Sequence, residues 1–187
     1  MSLSYQDAVV TALMGVGSHE RGAVLASIDP GSLELHELRG LLSMYWPMCD
    51  AVLQNDAEVI RQLFAMAAPV TDRTVDEVPR PGTLIYRAHL SNTPAAAGLS
   101  WTTSFDVADW FAGYLLSPRA AFVGIPQGGS VMISAASCDS VLGYFEGREE
   151  WEVIPGAISD LYIAEGQCGQ CLMTRHHKLS CSFGEFR

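Results

Sequence analysis

The sequence predicts an α+β fold in which a helical N-terminal segment precedes a mainly antiparallel sheet. Three observations lead there. Apolar residues recur at helical spacing up to about residue 70. A cluster of prolines and glycine among charged residues breaks that pattern at 69–82. Beyond it, short segments rich in Val, Ile, Tyr and Trp outnumber helical ones.

In the first part, Ala8, Val9, Ala12 and Leu13 mark one helix before the Gly15/Gly17 break. Asp29-Pro30-Gly31-Ser32 reads as a turn, with Ser32 placed to cap a helix carrying Leu35, Leu38, Leu42 and Tyr45 on one face. Pro47 interrupts it. Asn55-x-x-Glu58 resembles a capping box, and Val59, Ile60, Leu63, Phe64 and Met66 follow as an amphipathic stripe. Met44, Met48 and Met66 are expected to fill gaps in the core. Pro69, Pro79, Pro81 and Gly82 make 69–82 the linker candidate, dividing a helical segment, 1–75, from the remainder, 76–187. Strands are expected over 83–90, 130–136, 141–145, 151–154 and 161–164. The exception is 106–116, where Val107, Ala108, Phe111, Ala112 and Leu115 share a helical face, Asp106 favours the positive helix end, and Thr103 or Ser104 can cap it.

Apolar residues form 49% of the 187-residue chain, enough for a core. No apolar run approaches the ~20 residues of a membrane helix. No basic residue precedes the first apolar stretch, so a secretory signal is not expected and the cytoplasm is the expected location. The net charge is −10, with one lysine (Lys178) beside ten arginines. Such a surface repels phosphate backbones, which argues against nucleic acid as the main partner. Five cysteines without a secretory signal argue against a disulfide framework.

Three clusters carry chemistry. Arg87 lies in Leu84-Ile85-Tyr86-Arg87-Ala88-His89, and on a strand it shares a side with Ile85 and His89. A guanidinium among apolar neighbours is costly unless an anion meets it, either a carboxylate of the sheet or a bound diphosphate that its planar fork suits. Ser100-Trp101-Thr102-Thr103-Ser104 places four hydroxyls in five residues. It can be a polar helix-capping turn, or its first hydroxyl can fix an acidic side chain; Trp101 is read as core. Glu150 and Glu152, two apart in Arg148-Glu149-Glu150-Trp151-Glu152-Val153-Ile154, share a strand face, with Trp151 and Val153 on the buried one. Side by side they repel, a cost that suits a solvated edge or a cleft.

In this order the three clusters resemble the arginine–serine–glutamate class of ADP-ribosyltransferases. Gly98-Leu99-Ser100-Trp101-Thr102, Ala108-Asp109-Trp110-Phe111-Ala112 and Arg148-x-Glu150-x-Glu152-Val153-Ile154 are similar to a group of small phage and prophage proteins of that kind. The resemblance covers about 83–156, with a shorter Arg87–Ser100 interval than is usual in the class. It implies a split-sheet ADP-ribosyltransferase-like domain, NAD as substrate and a host protein as acceptor. By it, Arg87 holds the NAD phosphates or the nicotinamide-side ribose, with Tyr86, Ser100, Trp101 and Thr102 lining the same site. Ser100 orients Glu152, which stabilises the oxocarbenium-like state as nicotinamide leaves. Glu150 activates the acceptor, and a glutamate there implies arginine as that acceptor. Water in its place would make the chain an NAD glycohydrolase, and loss of activity would leave a virion or interaction protein. No metal is required. Cys168-x-x-Cys171 with His176, His177 and Cys181 has zinc-like spacing, yet free thiols and surface histidines are the expected reading.

Overall fold

The structure, a computed structural model, describes residues 4–49, 56–115, 130–147 and 149–166. It is an α+β fold with its helices gathered at the N-terminus. Helix α1 (Tyr5–Gly15) opens on a reciprocal cap: the Asp7 amide donates to the Ser4 hydroxyl, and the Ser4 amide donates to the Asp7 carboxylate. Helices α2 (Ser18–Ala26), α3 (Leu35–Tyr45) and α4 (Ala57–Ala67) follow.

Four local expectations are corrected. Ser32 does not cap α3; its hydroxyl donates to Asp29 within the turn Pro30–Ser32, and Glu34 fills the cap position, its amide donating to Glu37. Leu35, on the end turn of α3, is exposed, and Leu41 joins Leu38, Leu42 and Tyr45 inside. In α4 the buried stripe is Ala57, Ile60, Leu63, Phe64 and Ala67, leaving Val59 and Met66 exposed. Each residue turns the helix by about 100°, so Val59 and Met66, one position before Ile60 and Ala67, fall off the stripe. Met44 and Met48 are exposed too, so none of these three methionines fills a gap. Asn55 lies outside the described residues.

The sheet has five strands: β1 (Val70–Thr71), β2 (Thr83–Leu90), β3 (Trp101–Thr102), β4 (Val131–Phe145) and β5 (Glu152–Gly166). Their order is β1-β4-β2-β3-β5, and β5 also pairs with β4, so β4, β2, β3 and β5 close into a ring. β1 was not foreseen. It runs parallel to β4 through Val70↔Gly143, which makes the sheet mixed and ties the expected linker down at Val70, a fully buried residue. The four segments expected over 130–164 are two long strands. The punctuation between them (Asp139, Ser140, Pro155, Gly156) marks bulges, and the β4–β5 register shifts repeatedly between 133 and 143. An extra residue on one strand bends it without ending the pairing, which lets two 15-residue strands wrap the ring.

Helix α5 (Phe105–Leu115) lies against β2 and β4 and is capped as expected: Ser104 accepts from the Val107 amide on its hydroxyl and from Ala108 on its carbonyl. The core has three parts. The helical segment packs with Leu99, Phe145 and Ile154; Ile85, Trp101, Ala136, Tyr144 and Val153 gather on one side of the sheet; Leu90, Ala108, Ala112, Val131 and Ile133 pack under α5. Among the described residues no helix is long and apolar enough to cross a membrane.

Candidate active site around Arg87 and Glu152

β2 and β4 pair continuously from Thr83↔Cys138 to Leu90↔Val131, which fixes Arg87 in mid-strand opposite Ser134. Ile85, on its side of the strand, is buried with Trp101, whereas Tyr86 and Ala88 pack toward α5. Alternation was therefore read correctly. Arg87 reaches the loop before β3, where its Nη1 donates to the Ser100 carbonyl. Ser100 thus meets Arg87 through its backbone carbonyl, whereas the sequence singles out its hydroxyl as a partner for Glu152.

The guanidinium lies directly on Gly98. A Cβ there would stand 1.8 Å from Arg87 Cζ and 2.1 Å from Nε, so glycine is the only residue the arginine tolerates in this pose. Arg87 Nε is buried and has no hydrogen-bond partner among the described residues. Desolvation, opposed by the Glu152 charge and reinforced by nearby Arg61, brings the Arg87 pKa down to about 10. Among the described residues no carboxylate comes within salt-bridge distance of it.

Glu152 opens β5 between two neighbours, pairing with Thr102 on β3 and with Phe145 on β4. It is 9% exposed, a rare burial for a carboxylate-bearing residue. Thr102, also buried, donates its hydroxyl to the Glu150 carbonyl at 2.6 Å and accepts from the Ser104 amide at 3.1 Å. It ties the turn before β5 to the turn before α5. Two non-glycine residues flank Glu150 in the left-handed region, Glu149 at φ 57° and Trp151 at φ 44°. For a tryptophan this is an outlier that only surrounding contacts sustain. Those contacts include the Thr103 amide on the Trp151 carbonyl, and Asp72, whose carboxylate accepts from the Glu146 and Gly147 amides at 3.1 and 2.9 Å.

Glu150 and Trp151 therefore do not belong to the strand, and Trp151 is exposed, not buried. The shared-face expectation for the two glutamates fails in its mechanism because the backbone turns at 149–151. Both residues nonetheless line one dent of about 10 Å³ with Pro47, Phe145 and Gly147. That is room for one water.

A larger crevice, about 200 Å³, is lined by Arg61, Ala96, Gly98, Trp101 and residues 155–158. Register separates the two depressions. Tyr86↔Thr102 and Thr102↔Glu152 place Glu152 on the Tyr86 side of the sheet, whereas Arg87 shares the side of Ile85 and Trp101. Their charges couple across the two-residue strand β3. Trp101 is core, as read, and also a crevice wall. Tyr86 stands edge-on to Phe105 at 5.5 Å in the α5 cluster, away from the crevice, because even positions of β2 face α5.

No family model, curated protein or solved structure matches the chain.

Three participants were not legible as such. Gly98 reads as a loop glycine and Arg61 as a solvated helix residue; only the fold brings them to Arg87. Ser134, buried opposite Arg87, accompanies His89: Ser134 donates to His89 Nε2 at 2.9 Å, and His89 Nδ1 donates toward the Thr93 and Leu90 carbonyls at 2.9 and 3.0 Å. This network locks β2 to β4 beside the arginine. No group of three metal-ligating side chains occurs among the described residues. Cys168, Cys171, His176, His177, Cys181 and Arg148 lie outside them.

Proposed function

We propose that the chain is an NAD-consuming mono-ADP-ribosyltransferase that modifies a host protein in the cytoplasm as a phage or bacterial effector. One observation carries the reading. A desolvated guanidinium rests on a bare glycine, lacks a carboxylate at salt-bridge distance among the described residues, and is electrostatically coupled to a buried glutamate. A structural arginine would sit in a close ion pair, since an uncompensated buried charge is strongly unfavourable. A diphosphate supplies the missing anion, meeting Arg87 on the part of the guanidinium that does not rest on Gly98.

In this reading Arg87 binds the diphosphate and Glu152 bonds the ribose 2′-hydroxyl, so the dinucleotide has to pass the end of the two-residue strand β3, on opposite sides of which the two side chains lie. As the nicotinamide–ribose bond breaks, its electron pair leaves with nicotinamide and positive charge gathers on the ribose. A fixed carboxylate stabilises that charge without solvent rearrangement. Thr102 supports this end by clamping the turn that carries Glu150, and Glu150 takes the proton of the acceptor nucleophile. A dent of about 10 Å³ cannot hold a ribose, so turnover in this reading requires the turn Trp46–Met48 to move off Glu152.

The same closed dent favours a second reading, a protein that keeps the arrangement for interaction without turnover. Incubation with labelled NAD and cell extract separates the possibilities. Labelled protein lost on Glu152→Ala, with the melting temperature within a few degrees of wild type, is the expected result. Free ADP-ribose without labelled protein would indicate the glycohydrolase. No NAD consumption by wild-type chain would leave the interaction protein.

A further inference from the structure

We propose that Asp72, which follows β1 in the segment expected to be a linker, is the positioning residue for Glu150, acting by bracing the turn between β4 and β5. The part that Glu150 plays in transfer rests on the NAD reading; the brace itself does not. Each oxygen of the Asp72 carboxylate accepts one of two successive amides, Glu146 on Oδ1 at 3.1 Å and Gly147 on Oδ2 at 2.9 Å. A flat two-oxygen acceptor set against neighbouring N–H groups fixes direction as well as distance. Gly147 leaves room for it: a Cβ there would stand 2.9 Å from Asp72 Oδ2, and the carboxylate would have to shift. Arg73, the next residue, pairs with the Glu146 carboxylate at 3.2 Å, and the Tyr144 hydroxyl donates to the same carboxylate at 2.7 Å. Pairing of Val70 and Thr71 with Gly143 and Tyr144 delivers residues 72 and 73 to this place.

The turn requires such a hold. Glu149 and Trp151, on either side of Glu150, take left-handed conformations that persist only where their surroundings impose them. The Glu149 amide donates to the Glu146 carbonyl at 2.9 Å, so the turn closes on the residue that Asp72 fixes. Thr102 holds the Glu150 carbonyl, and the Thr103 amide holds the carbonyl of Trp151. Those two contacts come from β3 and the residue after it; Asp72 supplies the hold from the β1 side. Glu152 is fixed separately, by strand pairing with Thr102 and Phe145. Gly147, Glu150 and Glu152 line one dent, so slack at the braced end moves Glu150 relative to Glu152. Asp72 and Gly147 are both exposed, and water can take over the freed Gly147 amide. The loss therefore falls on geometry more than on stability.

Amide hydrogen exchange on the full chain, with labelled NAD and cell extract, tests this. In Asp72→Ala the Glu149 and Thr103 amides, neither of which bonds Asp72, should exchange about tenfold faster, with a melting temperature within a few degrees of wild type. Protein labelling should fall about tenfold, while release of free ADP-ribose stays within about twofold because Glu152 keeps its place. Asp72→Asn should resemble Asp72→Ala, since its NH2 group would face an amide donor. Gly147→Ala, which displaces the carboxylate, should cost as much labelling as Asp72→Ala, and the double variant no more than either. Wild-type exchange at Glu149 and Thr103 in Asp72→Ala overturns the brace. Where the wild-type chain labels protein, full labelling by Asp72→Ala, or equal loss of labelling and ADP-ribose release, overturns the assignment to Glu150. Faster exchange in a chain whose wild type labels no protein upholds the brace and removes the transferase reading.

Discussion

Gly98 has no room for even a methyl group. In Gly98→Ala the new Cβ would overlap the Arg87 guanidinium at 1.8 Å, so the arginine or the loop must shift. We expect kcat/KM for NAD to fall by about ten- to a hundredfold, or roughly 1.4–2.7 kcal/mol, mainly through KM. Unchanged kinetics would mean that Arg87 does not touch the substrate. Arg87→Met tests the same residue from the side of stability. Burial lowers the Arg87 pKa to about 10, so the folded chain holds that proton less tightly than the unfolded one. Its charge therefore opposes folding at every pH below about 10, and the opposition fades only as pH rises from there toward the ordinary guanidinium range. Arg87→Met should change stability in denaturant titration at neutral pH by no more than about 1 kcal/mol while abolishing NAD cleavage. Loss of a structural ion pair would instead cost about 3–5 kcal/mol. At this scale the sequence was informative wherever a residue type contradicted its setting: an arginine inside an apolar strand, hydroxyls before a helix, paired glutamates. Gly98 and Arg61 contradict nothing locally, and no pattern marks them.

Elements were legible by type and misjudged in extent. α5 and β2 were read within one residue because their periodicity is uninterrupted and their ends carry ordinary signals. β4 and β5 were each cut in two because glycine, proline and aspartate usually end strands, whereas here they sit at bulges. Gly143 shows what such positions do. A Cβ there would lie 2.9 Å from Phe64 Cε1 and 3.2 Å from Ile154 Cγ1, so the bare backbone lets α4 pack on the bend of β4. Gly143→Ala should destabilise by about 1–3 kcal/mol, read as a shift in the urea midpoint at constant slope. A neutral result would show that α4 can slide. The strand β1 escaped notice for another reason. Two residues carry no periodicity, and only their pairing with β4 defines them.

Across the molecule, the helical segment and the sheet share one apolar cluster that runs from Val9 and Leu13 through Phe64 to Leu99, Phe145 and Ile154. Phe64 sits in its middle, edge-on to Trp46 at 5.3 Å and to Phe145 at 6.1 Å. Far-UV dichroism, dominated by the helices, and near-UV dichroism of the tryptophans should therefore melt together in one transition. Separate transitions would show that the helices and sheet fold independently. Read along the chain, local preference determined the α+β class, the helices first, the strand character after residue 82 and the residue types of the candidate site. Those follow from periodicity and from chemistry that each residue carries wherever it lies. Closure of the ring, the burial of Glu152, the left-handed turn around Glu150 and the meeting of Arg61, Gly98 and Arg87 were decided only in three dimensions. Each depends on contacts between residues far apart in sequence, and the free energy of such contacts leaves no periodic trace in the chain.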